Sequence, residues 1–139
     1  MKKFTGLMSV CLLMLVFAVS ADASMYLYAN AANTIGGLRF DVAEGTVVDV
    51  AASLASNSGG TSSVIYADVF KGYWGLGVQA TIPAAGDTVY DLSLLFAVEQ
   101  PVNDSITLGI GVPVVNVNTS SPTTTTMMSA FSLYGILKI

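Results

Sequence analysis

The stretch Tyr73-Trp74-Gly75-Leu76-Gly77-Val78-Gln79-Ala80-Thr81-Ile82 changes character at every second residue. Trp74, Leu76, Val78, Ala80 and Ile82 are apolar, and Tyr73, Gly75, Gly77, Gln79 and Thr81 take the other side. A period of two is the pattern of a β-strand with two unlike faces. The second face decides more than the first. A strand face meant for water is usually rich in Lys, Arg, Glu and Asp. Here it is glycine, amide and hydroxyl. Such residues suit the interior of a narrow barrel, which holds side chains and little else.

The same alternation runs outward from this segment in both directions. Tyr90, Leu92, Leu94, Phe96 and Val98 oppose Asp91, Ser93, Leu95, Ala97 and Glu99. Ile106, Leu108, Ile110, Val112 and Val114 oppose Thr107, Gly109, Gly111, Pro113 and Val115. Phe131, Leu133, Gly135, Leu137 and Ile139 oppose Ser132, Tyr134, Ile136 and Lys138. Earlier, Leu38, Phe40 and Val42 oppose Arg39 and Asp41, Val48 and Val50 oppose Asp49, and Ala67 and Val69 oppose Asp68. The first strand, near Met25, has no clear phase. The pattern predicts eight strands, at 25–32, 35–43, 46–56, 62–71, 73–83, 88–100, 104–117 and 127–139.

The links fit. A two-residue link at Lys71-Gly72 sets Val69 opposite Trp74, and a three-residue link at Ala43-Glu44-Gly45 sets Val42 opposite Thr46. Each keeps the apolar face continuous, as a fixed register requires. Short links, including Pro101-Val102-Asn103, alternate with longer ones at 57–61, 83–87 and 118–126. Pro113 cannot donate to a ladder, so it predicts a bulge or a break in pairing.

Composition agrees with a chain that meets little water. Of 139 residues, 53% are hydrophobic and 10% charged, against roughly 25% charged in ordinary soluble domains. The length suits a single domain. A net charge of −4 with five basic residues excludes a nucleic-acid partner, which needs a basic patch. Lys2 and Lys3, an apolar run from Phe4 to about Val19, and Ala21-Asp22-Ala23 are laid out as a secretory signal peptide cleaved after Ala23. The domain division is therefore 1–23 signal peptide and 24–139 a single barrel. The lone Cys11 leaves with the signal, so no disulfide is expected.

Alternation alone suits two folds. A soluble β-sandwich buries the apolar face; a transmembrane barrel turns it to lipid. Strands of about ten residues match a tilted crossing, and an even strand number is the bacterial rule. With its signal peptide, its alternating strands and the amphipathic segment Phe131–Ile139, the chain resembles the small eight-stranded outer-membrane β-barrels of Gram-negative bacteria. The resemblance is one of architecture. It implies an all-β, antiparallel, up-and-down transmembrane barrel in the cell outer membrane, with membrane lipid and the outer-membrane assembly machinery as partners. The chain departs from the class in ending on Ile139, where members carry an aromatic, and in its short loops.

The expected role is structural or surface-interacting, with a filled lumen. Two alternatives stand beside it. One is a small porin-like pore or a lipid-binding barrel, with Gly75, Gly77, Gly109 and Gly111 lining a cavity. The other is a secreted soluble sandwich within a surface assembly. Catalysis is not expected. The sequence has no His, the commonest general base and metal ligand, and no zinc site is available without His or Cys. No cofactor is expected.

Two groups of residues stand out. Arg39 is the one arginine, and it shares the polar phase with Asp41, Asp49, Asp91 and Glu99, with Asp68 joining them. A charge inside a barrel has to be paired, so Arg39 is expected to bind one or two of Asp41, Asp49, Asp68 and Asp91. The segment Asn118-Thr119-Ser120-Ser121-Pro122-Thr123, continued by Thr124–Thr126, reads as an exposed polar loop.

Overall fold

The computed structural model describes residues 25–30, 35–57, 60–128 and 131–139. The proposed signal segment, 1–23, lies outside the described residues. Nine strands follow: β1 (Met25–Asn30), β2 (Ile35–Ala43), β3 (Thr46–Asn57), β4 (Gly60–Lys71), β5 (Trp74–Ile82), β6 (Val89–Pro101), β7 (Ile106–Asn118), β8 (Thr124–Met127) and β9 (Ser132–Lys138). Each strand from β1 to β7 pairs antiparallel with the next. β9 then pairs with β7 on one side and β1 on the other, and this closes the sheet. β8 pairs with β7 above β9, so the two share one position in the wall. The result is a closed antiparallel barrel eight strands around. Closure removes the sandwich from consideration, because a sandwich is two sheets with separate edges.

The faces follow the alternation. Leu27, Leu38, Leu54, Val69, Leu76, Leu92, Leu108, Met127 and Leu133 are all exposed on the outer surface, one from each strand. Ile35, Ala51, Ala97, Tyr134 and Ile136 are buried within. Tyr28 and Phe70 pack against the inner cluster of Ala97, Tyr134 and Ile136. The phase of β1 is thereby resolved: Leu27 is exposed, and the Tyr28 ring packs tilted against Tyr134 inside, with centroids 5.3 Å apart.

Several boundaries differ from the reading of the sequence. The β4–β5 turn is Gly72-Tyr73 rather than Lys71-Gly72, because Lys71 pairs with Trp74. Gly72 takes a positive φ of 62° there, a conformation that suits glycine. The shift is by two residues, so the faces are unchanged. The link expected at 57–61 is tighter, since Asn57 already pairs with Gly60. The β2–β3 register matches the expected one from Arg39, opposite Asp49, to Asp41, opposite Val47. At the turn Ala43 and not Val42 pairs with Thr46, because an irregularity between Asp41 and Ala43 leaves Val42 out of the ladder and shortens the link to Glu44-Gly45.

The largest departures involve Pro113. Leu94 pairs with Val115 but Leu95 pairs with Pro113, which leaves Val114 as an extra residue in β7. This is the irregularity that Pro113 predicts. A bulge reverses the phase beyond it. Val115 therefore faces out, not in, and Asn116 and Asn118 face in. The eighth wall strand breaks at the same level. β8 ends at Met127 and β9 begins at Ser132, with Met128 bonded through its N–H to the Val114 carbonyl at 3.0 Å.

Both β1 and β9 have their outer ends beside the turns at 44–45, 72–73 and 102–105. Hydrogen bonds tie this end together. Gly72 N donates to Gly45 O at 3.1 Å, and Lys138 N donates to Ser105 O at 2.9 Å. Asn103 Oδ1 accepts from the N–H groups of Ser105 and Ile106 at 2.8 and 2.9 Å.

Candidate functional site: a polar plug in the lumen

The pairings from β2 to β7 string one row of inward residues around the wall. Arg39 lies opposite Asp49, Asp49 opposite Asp68, Asp68 opposite Gly77, Gly77 opposite Ser93, and Ser93 opposite Asn116. Directly opposed residues on an antiparallel pair keep their Cβ atoms about 4.5–5.5 Å apart. The row therefore delivers chemically matched neighbours without any long connection.

Arg39 is the centre. Its Nε and Nη2 each donate to one Asp49 oxygen at 2.5 Å, a two-point guanidinium–carboxylate bond. Its Nη1 donates to Glu99 Oε1 at 2.6 Å. Tyr134 Oη donates to the same oxygen at 2.7 Å. Arg39 and Asp49 are 4% and 3% exposed, so this charge pair is out of water. Glu99 reaches it from β6, which is four positions from β2 in an eight-position wall. The Arg39–Glu99 bond thus crosses the lumen, and Tyr134 fixes it from β9.

Asp49 is one of the four partners expected from the sequence. Asp41, Asp68 and Asp91 do not hydrogen-bond to Arg39; Glu99 takes the remaining nitrogen, and Tyr134 joins unannounced. Both newcomers lie on the polar phase of their strands, which was the available signal. What the sequence lacked was the circumference that sets them facing β2. Asp91 has another partner: Asn118 Nδ2 donates to its Oδ1 at 2.8 Å. Asn116 Nδ2 donates to Ser93 Oγ at 3.0 Å in the row below. Asp68 is half-buried beside Asp49 and lies over Gly77.

The glycines expected to line a cavity are covered. A Cβ on Gly109 would overlap the Tyr134 ring, one on Gly77 would overlap Asp68, and one on Gly75 would fall 2.6 Å from the Phe70 ring. At Gly111 a Cβ would meet Tyr134 at 3.5 Å. Each glycine is a seat for a larger side chain from the adjoining strand. A shallow concavity follows the β2–β3 hairpin from Asp41 to Val47. One hairpin supplies its whole lining, so no donors converge on it from separate elements.

The polar segment after β7 is shorter than expected. Asn118 belongs to β7 and is half-buried, with its Oδ1 accepting from the N–H of Ser120 at 2.9 Å and from the Ser120 hydroxyl. Thr119, Ser121 and Thr123 are exposed, and Ser120 is half-buried. Thr119 is anchored to Tyr90, donating through its N–H and Oγ1 to the Tyr90 carbonyl, each at 2.9 Å. Thr124–Thr126 belong to β8.

Among the described residues no group of three or more His, Cys, Asp or Glu could hold a metal ion. The arrangement sets a paired, buried charge cluster across the lumen. No known protein family, curated protein or solved structure matches the chain.

Proposed function

We propose that the protein is an integral outer-membrane β-barrel with a structural or surface-interaction role and no catalytic activity. The observation that carries this reading is where the large apolar side chains lie. Exposed Leu, Val, Ile or Met residues stand on the outer surface of all nine strands. A soluble monomer rarely shows a continuous apolar surface of that extent. No charged residue lies on this outer surface between the strand ends, among the described residues. Arg39 and Asp49 are interior, Lys71 and Lys138 close their strands, and Glu44, Asp87 and Asp104 occupy links. Apolar-out and polar-in is the order expected in lipid.

Membrane lipid and the outer-membrane assembly machinery are the partners this reading implies. The export signal proposed at 1–23 supports the same destination. The pore alternative is less well supported, because the Arg39–Glu99 bond crosses the lumen and its glycines are covered. We expect no stepwise conductance in planar bilayers.

Electrophoresis of the membrane fraction, with and without boiling, tests the main reading. A folded barrel withstands detergent until heated, so the unboiled sample should migrate apart from the boiled one. A product that fractionates as soluble protein, with one mobility in both samples, would sink the proposal.

A further inference from the structure

Lys71 occupies an unusual place in this barrel. It is exposed, lies at the end of β4, and makes no ion pair among the described residues. Its cross-strand neighbour is Trp74, and both point outward. Trp74 is 52% exposed and Tyr73 is 62% exposed. Phe96 holds the two rings in place: it meets Trp74 edge-on at 5.1 Å and Tyr73 tilted at 6.2 Å. The backbone fixes the turn beneath them, since Ala97 N donates to Tyr73 O at 2.9 Å. Toward the middle of the barrel the same outer surface continues as Val69, Leu76 and Leu94, all exposed. One small region therefore presents a free ammonium, an indole N–H and a phenol above an apolar strip.

We infer that Lys71, Tyr73 and Trp74 form a binding site for the headgroup of an anionic glycerophospholipid, in the leaflet at the end that holds the strand termini. The inference rests on the membrane reading above. The ammonium meets the headgroup phosphate in a charge-assisted hydrogen bond. The aromatic pair lies at the interface, where rings with one polar edge are favoured. The acyl chains lie along Val69, Leu76 and Leu94. A net negative headgroup is preferred because a zwitterionic one offsets the lysine with its own cation. Lys138, the other exposed lysine at this end, closes β9 on the inward phase of Tyr134 and Ile136, so it does not share this outer surface.

Trp74 is the one tryptophan in the chain, so its emission reports on this site directly. The protein is refolded in neutral detergent and titrated with short-chain phosphatidylglycerol or phosphatidylcholine. Phosphatidylglycerol should shift Trp74 emission at about tenfold lower concentration, the ratio that one good charge-assisted contact confers. Lys71→Gln should bring the two lipids within about twofold of each other, and Lys138→Gln should preserve the difference. Equal midpoints for the two lipids in the wild type would overturn the inference, as would a preference that survives Lys71→Gln. A heat-modifiable band, checked for every variant, separates this result from failure of the membrane reading. If the band is absent from the wild type, both fall.

Discussion

Arg39 shows how much one side chain contributes when all three of its nitrogens are bonded. Its guanidinium holds two carboxylates, and Glu99 is held a second time by Tyr134. Removing the cation strands two acids in the lumen, and breaking a buried pair costs about 3–5 kcal/mol. Arg39→Leu should lower the urea midpoint of the reconstituted barrel, read from the loss of the unboiled band. An unchanged midpoint would refute the plug. The double change Arg39→Leu with Asp49→Leu should recover part of the loss, since it strands one acid fewer. Gly109 makes a steric counterpart. A methyl there overlaps the Tyr134 ring, so Gly109→Ala should destabilise the barrel, and adding Tyr134→Ala should relieve that overlap. The pair is non-additive if the ring is the obstacle and additive if it is not. That Arg39 sits inside was legible from its place between Leu38 and Phe40. Asp49 was legible too, being its register neighbour across a three-residue link. Glu99 was not identifiable as a partner, because only the closed wall brings β6 across from β2.

At the level of strands, a single proline organises the least regular part of the barrel. Pro113 removes a ladder donor, Val114 becomes the extra residue, and the wall strand opposite divides into β8 and β9. The proline was legible but its outcome was not, because alternation through Val114 and Val115 is apolar in either phase. Asn116 and Asn118 carried the missing clue: two amides are costly on an apolar outer surface without partners, and the bulge turns them toward Ser93 and Asp91. Deleting Val114 tests this. Without the extra residue, Pro113 and Val115 become consecutive opposite Leu95 and Leu94, Asn116 and Asn118 still face in, and the folded, heat-modifiable band should persist. Deleting Ala85, which lies in the exposed 83–88 link between β5 and β6, should leave that band in place. Loss of the band on deleting Val114 alone would show that Val114 is a ladder residue and not the extra one. The turn at Gly72-Tyr73 taught a milder lesson. The expected register there was displaced by two residues, which preserves the faces and so leaves no trace in an alternation pattern.

Across the molecule, the eight wall positions, the antiparallel order and the inside–outside assignment from β2 to β6 followed from a period of two and the spacing of turn residues, whereas the phase of β1 and of β7 beyond Val114 did not. Closure could not be read that way. A sandwich and a barrel share the same local pattern, and what separates them is whether β1 and β9 meet. That meeting also governs the order in which the barrel can form. Tyr26 sits opposite Lys138, so the final seam joins segments from opposite ends of the folded domain. Hairpins can zip locally, one after another, but the wall has two raw edges until β9 arrives. Contacts this distant in sequence are the slow ones in folding, and unpaired edges are where chains adhere to one another. The seam therefore makes this a protein whose greatest exposure to misassembly comes late, with seven strands in place and the eighth still to dock.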